Sequence, residues 1–533
     1  MTVRIIVKQK SHLHKIFQGA LILTLSTLIA KILSAAYRIP FQNLVGDTGF
    51  YVYQQVYPLY GIGVTLALSG LPVFISKLVA ECKTQVEKES LVRQLLQILF
   101  VFAAFLVIGG WLAAPTLATL MGDEHLTSTI RSVVLMFCTM PILAVSRGYW
   151  QGQYNMIPTA ISQLIEQIVR VTIVISIAVV ASQQRWNIYK MGTFAMSSAV
   201  LAGLVASAFL VPSIWRIMIG TRSRQPADRP LWGLVKRLVI EGGVVCLFAA
   251  LIVLFQLIDS FTVKRGLVAA GVASIDAKAL KGVFDRGQPL VQLGLVVATS
   301  FSAVLLPSLT TSRLKRKIIE FQRIYRSALH ICIAMSLFAT VGLIALMPQI
   351  NQLLFANQNG SGALAISMIN IVLVALITTY SSVLQSLNRF SVTMFGLAGG
   401  LITKMLINFN LVKHFEIVGA AMGTVIGLLV TLLIIHAALP EQLRRLSTDR
   451  NFSWKLIGTC LLLFGSVKMV DIGCVNIFGT DRVAALPTVI ISVLIGCLVV
   501  LGTVMWWQLF STREIVTIPG GKRILKLINR VRN

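Results

Sequence analysis

The sequence predicts an all-α membrane protein of about fourteen transmembrane helices, arranged as two six-helix lobes around a central cavity plus two extra C-terminal helices. Three observations carry that expectation. Hydrophobic residues make up 56% of the 533 and charged residues only 12%, with a mean hydropathy of +0.83; a soluble chain carries about twice that charged fraction. Apolar runs of span length recur from end to end between short polar stretches. The basic excess, a net charge of +28, collects in alternate connectors.

The elements follow in order. Met1–Lys15 carries Arg4, Lys8, Lys10 and Lys15, and the apolar run from Ile16 is span-length without a small-residue cleavage site. It reads as a retained first span rather than a removable signal. The first lobe (1–220) holds spans one to six at about 16–42, 50–79, 94–120, 130–154, 157–182 and 190–215. The second (221–445) holds spans seven to twelve at about 234–262, 280–310, 325–348, 362–386, 390–412 and 417–440. Spans thirteen and fourteen, about 454–477 and 484–510, lie within 446–511. The polar connector Arg216–Arg237 is the expected joint between the lobes. The tail, 512–533, interleaves Ile524, Leu525, Leu527, Ile528 and Val531 with cations, as a membrane-surface helix or a frayed basic tail would. A weak repeat supports two halves: Gln151-Gly152-Gln153-Tyr154-Asn155 after span four matches Gln385-Ser386-Leu387-Asn388-Arg389 after span ten.

Charge sets the orientation. With a cytoplasmic N-terminus, roughly 31 Lys and Arg fall inside, about 9 outside and about 7 within spans. Both termini are then cytoplasmic and the basic loops face anionic membrane lipids, which accounts for the charge without nucleic acid. The seven cysteines make no C-x-x-C pair, and the six histidines lack partners at metal spacing, so no metal site or disulfide framework is expected. No phosphate-cradling glycine motif follows a strand, and the external loops are too short for a catalytic domain. The sequence implies no enzyme activity, no catalytic residue and no cofactor.

Charges within spans carry the functional information, since each costs about 2.5–3.5 kcal/mol at mid-bilayer. Lys31 and Arg38 are seven apart, two turns of span one, so they share a face. Arg286 follows Asp285 early in span eight. Together Lys31, Arg38, Asp285 and Arg286 suggest a cationic cavity for an anionic substrate; local pairing is the alternative. Glu166 and Arg170, four apart, suggest an intrahelical ion pair. Lys77 and Arg147 sit where they can snorkel to the cytoplasmic interface. Asp259 on span seven requires a cation, with Lys404 and its neighbour Asn408 on span eleven as candidates, or a bound proton or ion. In span two Pro58, Gly61, Gly63, Gly70 and Pro72 suggest a gate or hinge, or else a static kink.

These residues bring the chain into resemblance with a known family. Ala30-Lys31-Ile32-Leu33-Ser34-Ala35-Ala36-Tyr37-Arg38, Leu44-Val45-Gly46-Asp47-Thr48-Gly49-Phe50-Tyr51 and Phe284-Asp285-Arg286-Gly287-Gln288-Pro289, running on to Leu306-Pro307-Ser308-Leu309, resemble the MVF and polysaccharide-flippase branches of the MOP exporter superfamily. Within it the chain looks like the MurJ-type lipid II flippases, especially the Gram-positive YtgP/SpoVB-like group. The resemblance puts Lys31 and Arg286 on basic positions of helices one and eight. Arg38 falls within one position of a second helix-one arginine. A further arginine that some members carry on helix two has no counterpart, and Asp47 lies near, but out of register with, an acid after helix one. Some relatives are thought to bind sodium near an acid on helix seven; here Asp259 and Lys404 would stand in its place.

The resemblance implies a flippase of the bacterial cell membrane, acting as a monomer by alternating access on undecaprenyl-pyrophosphate-linked peptidoglycan precursor (lipid II). Spans thirteen and fourteen are expected to form the lipid-tail groove. Export of another undecaprenyl-linked glycan is the alternative. A MATE-like drug/cation antiporter calls for an acidic cavity, and a membrane glycosyltransferase or lipid phosphatase for an external acidic or His/Arg/Ser cluster.

Overall fold

The computed structural model describes residues 19, 22–220, 231–296, 318–387, 389–446, 450–511 and 514, and within them it is helical without strands. Ten helical segments are long and apolar enough to cross a membrane. Two are double length: Ile22–Glu81 breaks at Gly46 (φ 68°), and the segment containing Ser391–Ala437 breaks at Glu416 (φ 49°). The pair Leu231–Ala249 and Leu251–Ala269, bent by 71°, adds the seventh span. Among the described residues this accounts for every expected span except the later part of the eighth, which lies outside them with the motif Leu306–Leu309. The connector residues 221–230 and the tail, apart from Glu514, also lie outside.

The chain forms two compact units, Met1–Val268 with Val272–Gly282, and Ala269–Gly271 with Val283–Asn533. The joint expected at 216–237 and this division after Gly282 differ because span seven packs along span two. Gly61 and Gly70 admit Val253 and Cys246; a Cβ on either glycine would lie 2.8 Å and 2.5 Å from them. Gln55 donates to the Ser260 carbonyl (2.5 Å). At the other end of the same two spans Lys77 meets Glu241 (2.8 Å) and Arg237 meets Glu81 (3.0 Å). Lipid is as apolar as leucine, so close backbone approach and polar ties, rather than expulsion of water, hold such spans together.

Span two owes its shape to a short π-helix, Thr65–Gly70, followed by Leu71–Glu81. In π register the carbonyl of Ala67 would bond the N–H of residue 72, but Pro72 has none. Arg147 takes the vacant acceptor (3.1 Å). Pro58 sits inside the helix Arg38–Val64, where the described break is at Gly46 and not at the proline.

In the second unit, spans nine (Ile318–Ala345), ten (Ser361–Ser386) and thirteen (Arg450–Phe478) surround buried polar ties. Arg482, opening span fourteen (Arg482–Trp506), caps the short helix Met347–Phe355 through the carbonyls of Leu353 (3.0 Å) and Leu354 (3.3 Å). His330 stacks on Phe452 at 4.0 Å and meets Glu514 at 3.1 Å, so the segment after span fourteen is fastened to spans nine and thirteen.

Candidate functional site

Tyr53, Tyr57 and Tyr60 recur at i, i+4 and i+7 on span two and therefore form one stripe. Against that stripe the first unit brings two buried guanidiniums, Arg38 of span one and Arg170 of span five, 0% and 1% exposed. Arg38 lies 4.2 Å over the Tyr57 ring, and Arg170 lies 3.8 Å over Tyr60. One terminal nitrogen of Arg170 donates to Tyr37 (2.8 Å) and Tyr53 (2.7 Å), whose hydroxyls are 2.8 Å apart. No described residue accepts from the three guanidinium nitrogens of Arg38 or from the other terminal nitrogen of Arg170, and the buried Tyr60 hydroxyl is likewise unbonded. Among the described residues neither arginine makes an ion pair.

The expected pair of Glu166 with Arg170 is corrected here. Glu166 meets Arg147 at 2.6 Å, and Arg147, fully buried rather than snorkelling, also donates to Ser162 (3.1 Å) and Ala67. Two acceptors beyond the carboxylate make this a better-satisfied partner for Glu166 than the neighbouring turn of its own helix. Lys77 does reach out, 59% exposed at its side chain, and there meets Glu241.

The remaining sequence candidates divide between the units. Lys31 is exposed on span one while Arg38, two turns on, is buried, so the shared face passes from open to closed along its length. Arg286 is fully buried at the break between Ser274–Asp285 and 287–296. It donates to the side-chain carbonyls of Asn351 (3.2 Å) and Asn357 (2.7 Å) and lies 5.1 Å over Phe355, while buried Asp285 accepts from Gln288 (3.1 Å). Buried Lys404 donates to Thr424 of the following span (2.8 Å), with Asn408 buried one turn on; Asp259 is buried in span seven of the other unit. Of the span-two candidates, Gly63 admits Met136 of span four (2.6 Å), Gly61 and Gly70 admit span seven, and Pro72 opens the helix after the π-turn.

A second polar centre, around Asp123, escaped the sequence reading. Asp123 is buried and accepts from Tyr51 (3.1 Å) and Tyr189 (2.9 Å), with Lys278 at 3.3 Å and Lys264 at 3.7 Å. It thereby ties spans two, six and seven and the helix Ser274–Asp285 within the first unit. Burial pulls the Lys278 ammonium down, but the Tyr189 hydroxyl and Asp123 carboxylate outweigh it and hold it above its ordinary value.

Helical spans enclosing buried cations, two of them without an ion pair among the described residues, define a polytopic membrane protein. Comparison with known proteins sharpens that class. A family model described as polysaccharide biosynthesis protein matches residues 16–313, and the chain belongs to that family. It is 32% identical over 526 residues, 97% of each chain, to the uncharacterized membrane protein YabM of Bacillus subtilis. It is 25% identical over 444 residues to the lipid II flippase MurJ of Bacillus subtilis, covering 79% of this chain and 81% of that one. Among solved structures, lipid II flippase MurJ in an inward closed conformation matches with a TM-score of 0.67 at 14% identity, over 92% of this chain and 99% of that one, a similarity of fold.

Proposed function

We propose that the chain is a flippase that carries an undecaprenyl-pyrophosphate-linked glycan, of the lipid II class, from the cytoplasmic to the outer leaflet by alternating access. The observation that carries this reading is Arg38, fully buried with three guanidinium nitrogens lacking an acceptor. An unmatched cation costs several kcal/mol, and a pyrophosphate group supplies the charge and oxygens that remove the cost. The 25% identity to a lipid II flippase along four-fifths of the chain supports the same substrate class. Lys31 and Arg286 are the other headgroup cations, with Asp285 beside the second as a further substrate-binding residue. Spans thirteen and fourteen serve the lipid tail, span two is the gate, and Asp259, Lys404 and Asn408 couple the cycle. The protein acts as a monomer with both termini cytoplasmic.

A second reading, export of another undecaprenyl-linked glycan, is favoured by the family's description as a polysaccharide biosynthesis protein. Complementation of a conditional lipid II flippase mutant separates the two. Growth is expected from the wild type and not from Arg286→Ala present at equal membrane levels. No growth from the wild type, with capsule or other glycan export restored in a matching mutant, would move the assignment to the second reading.

A further inference from the structure

A groove of about 790 Å³ on the first unit has no part in the cation set just proposed. Its walls are span two at Leu66 and Leu71, span three (Gln85–Leu120) between Gln97 and Phe105, and the first half of span seven (Leu231–Ala249) up to Cys246. Apart from Gln97 and the Cys246 thiol the lining is apolar, and Val101, Phe105 and Val239 stand strongly exposed at its rim. We infer that the groove binds an anionic phospholipid of the membrane, with one acyl chain between spans two, three and seven and the phosphate between Arg93 and Lys236. The inference goes beyond the flippase reading and takes from it only the leaflet, the cytoplasmic one.

Three features point to a lipid chain rather than a void left by loose packing. The first is length. Lys236 and Cys246 are ten residues apart, ~15 Å along a helix, and Arg93 and Phe105 are twelve apart, ~18 Å. One leaflet of hydrocarbon is about 15 Å deep, so the groove takes a single chain from the interface to the midplane. Its inner end closes where Cys246 packs on Gly70, at which a Cβ would come within 2.5 Å of the thiol. A polyprenyl tail, longer than a leaflet is deep, does not fit that closed end. The second feature is charge. Arg93 precedes Gln97 by one turn and Lys236 precedes Val239 by three residues, so each lies on the lined face of its helix, and both are exposed. Cations at the interface end, with no charge among the lining residues, match a phosphate above an apolar chain. Glu241 and Glu81 on the same walls are engaged by Lys77 (2.8 Å) and Arg237 (3.0 Å), which balances their charge. Third, Gly243 lines the groove within a helix, where glycine is disfavoured, yet a Cβ there would meet nothing within 4 Å. Its neighbour Gly242 instead makes way for Phe74, 3.0 Å from such a Cβ. No protein atom needs the room at Gly243, as expected where the room belongs to a ligand. The π-segments Thr65–Gly70 and Leu238–Gly242 both border the groove, and helix of this kind recurs at functional sites.

The test is thermal unfolding of the full-length protein in mixed micelles. Dioleoylphosphatidylglycerol and dioleoylphosphatidylcholine are the probes, alike in their chains and different in charge. The midpoint should rise at about tenfold less phosphatidylglycerol than phosphatidylcholine. Equal responses, or none, overturn the inference. Gly243→Leu fills the groove with protein, so the lipid-free midpoint should hold or rise while the phosphatidylglycerol response is lost. An intact response overturns the site. Where leucine prevents folding, Val239→Trp decides, because it blocks the groove from an exposed rim position. Joint Arg93→Gln and Lys236→Gln should bring phosphatidylglycerol down to the level of phosphatidylcholine, and an undiminished preference overturns the headgroup's place. A phosphatidylglycerol with a diazirine at its chain end should label the peptides carrying Cys246 and Leu66–Leu71. Label confined to spans thirteen and fourteen overturns the groove. Undecaprenyl phosphate binding there more tightly than phosphatidylglycerol would assign the groove to the substrate's tail and overturn the phospholipid. None of these readouts involves transport, so their failure leaves the complementation result, and with it the flippase reading, standing.

Discussion

Arg147, Arg170 and Arg38 are all buried, yet only Arg147 has a carboxylate. The Arg147 pair is architectural, whereas Arg38 is the residue proposed for the substrate. Breaking the Arg147–Glu166 pair strands a cation that also supports the π-turn of span two. Glu166→Gln is therefore expected to lower the unfolding free energy by about 3–5 kcal/mol, read by denaturation in micelles, and joint replacement of both residues by methionine should recover most of it. Lys31 is one of the proposed headgroup cations. It is exposed on span one, and a phosphate contact there needs charge more than shape. Lys31→Arg should support growth in the complementation assay and Lys31→Gln should not; equal growth with both would make Lys31 a structural cation. The i,i+4 rule paired Glu166 with Arg170 from sequence, and the structure overrode it because Arg147, 19 residues earlier, approaches from span four. The Tyr53–Tyr57–Tyr60 stripe was legible in the spacing, but its meaning depends on Arg170 arriving from span five, which periodicity alone does not reveal.

At the scale of elements, nearly all the spans could be read because twenty apolar residues in a row have few other outcomes. Their interruptions could not. The 71° bend of span seven falls at Ala250, without a proline, and its π-segment Leu238–Gly242 has no sequence signature. The turn at Glu416 puts a non-glycine residue at φ 49°, where glycine would be expected. The fastening after span fourteen was equally hidden, since His330 and Glu514 are far apart in the chain. It makes a pH prediction. Burial raises the Glu514 carboxyl, but the His330 ring and the backbone and hydroxyl of Ser511 outweigh that and hold it below its ordinary value. A folded value below the unfolded one means the contact contributes fully above the unfolded pKa of about 4.3 and is lost as pH falls through the folded value. Hydrogen exchange at Ser511 and around His330 should accelerate as pH drops below about 4, after correction for intrinsic rates. Glu514→Gln should show fast exchange at neutral pH with no such step, and a step that survives the substitution would assign it to another group.

The coupling proposed above assigns Asp259 of the first compact unit and Lys404 of the second to one transport cycle. Both are buried, and Lys404 donates to Thr424 on the span that follows its own. A tethered ammonium can do electrostatically what a free sodium ion would do beside a carboxylate, so the proposed coupling needs no external cation. Two consequences follow for transport in liposomes. Replacing sodium with potassium at constant membrane potential should leave the rate within about twofold, since no ion-binding free energy enters the step. Asp259→Asn and Lys404→Gln should each slow the cycle, while the double variant should be no slower than the worse single one, because residues acting as a unit are non-additive. A steep sodium dependence would make Asp259 an ion ligand instead. Strictly additive losses in the double variant would show that the two residues act in separate steps, and Lys404 would then be assigned to its partnership with Thr424.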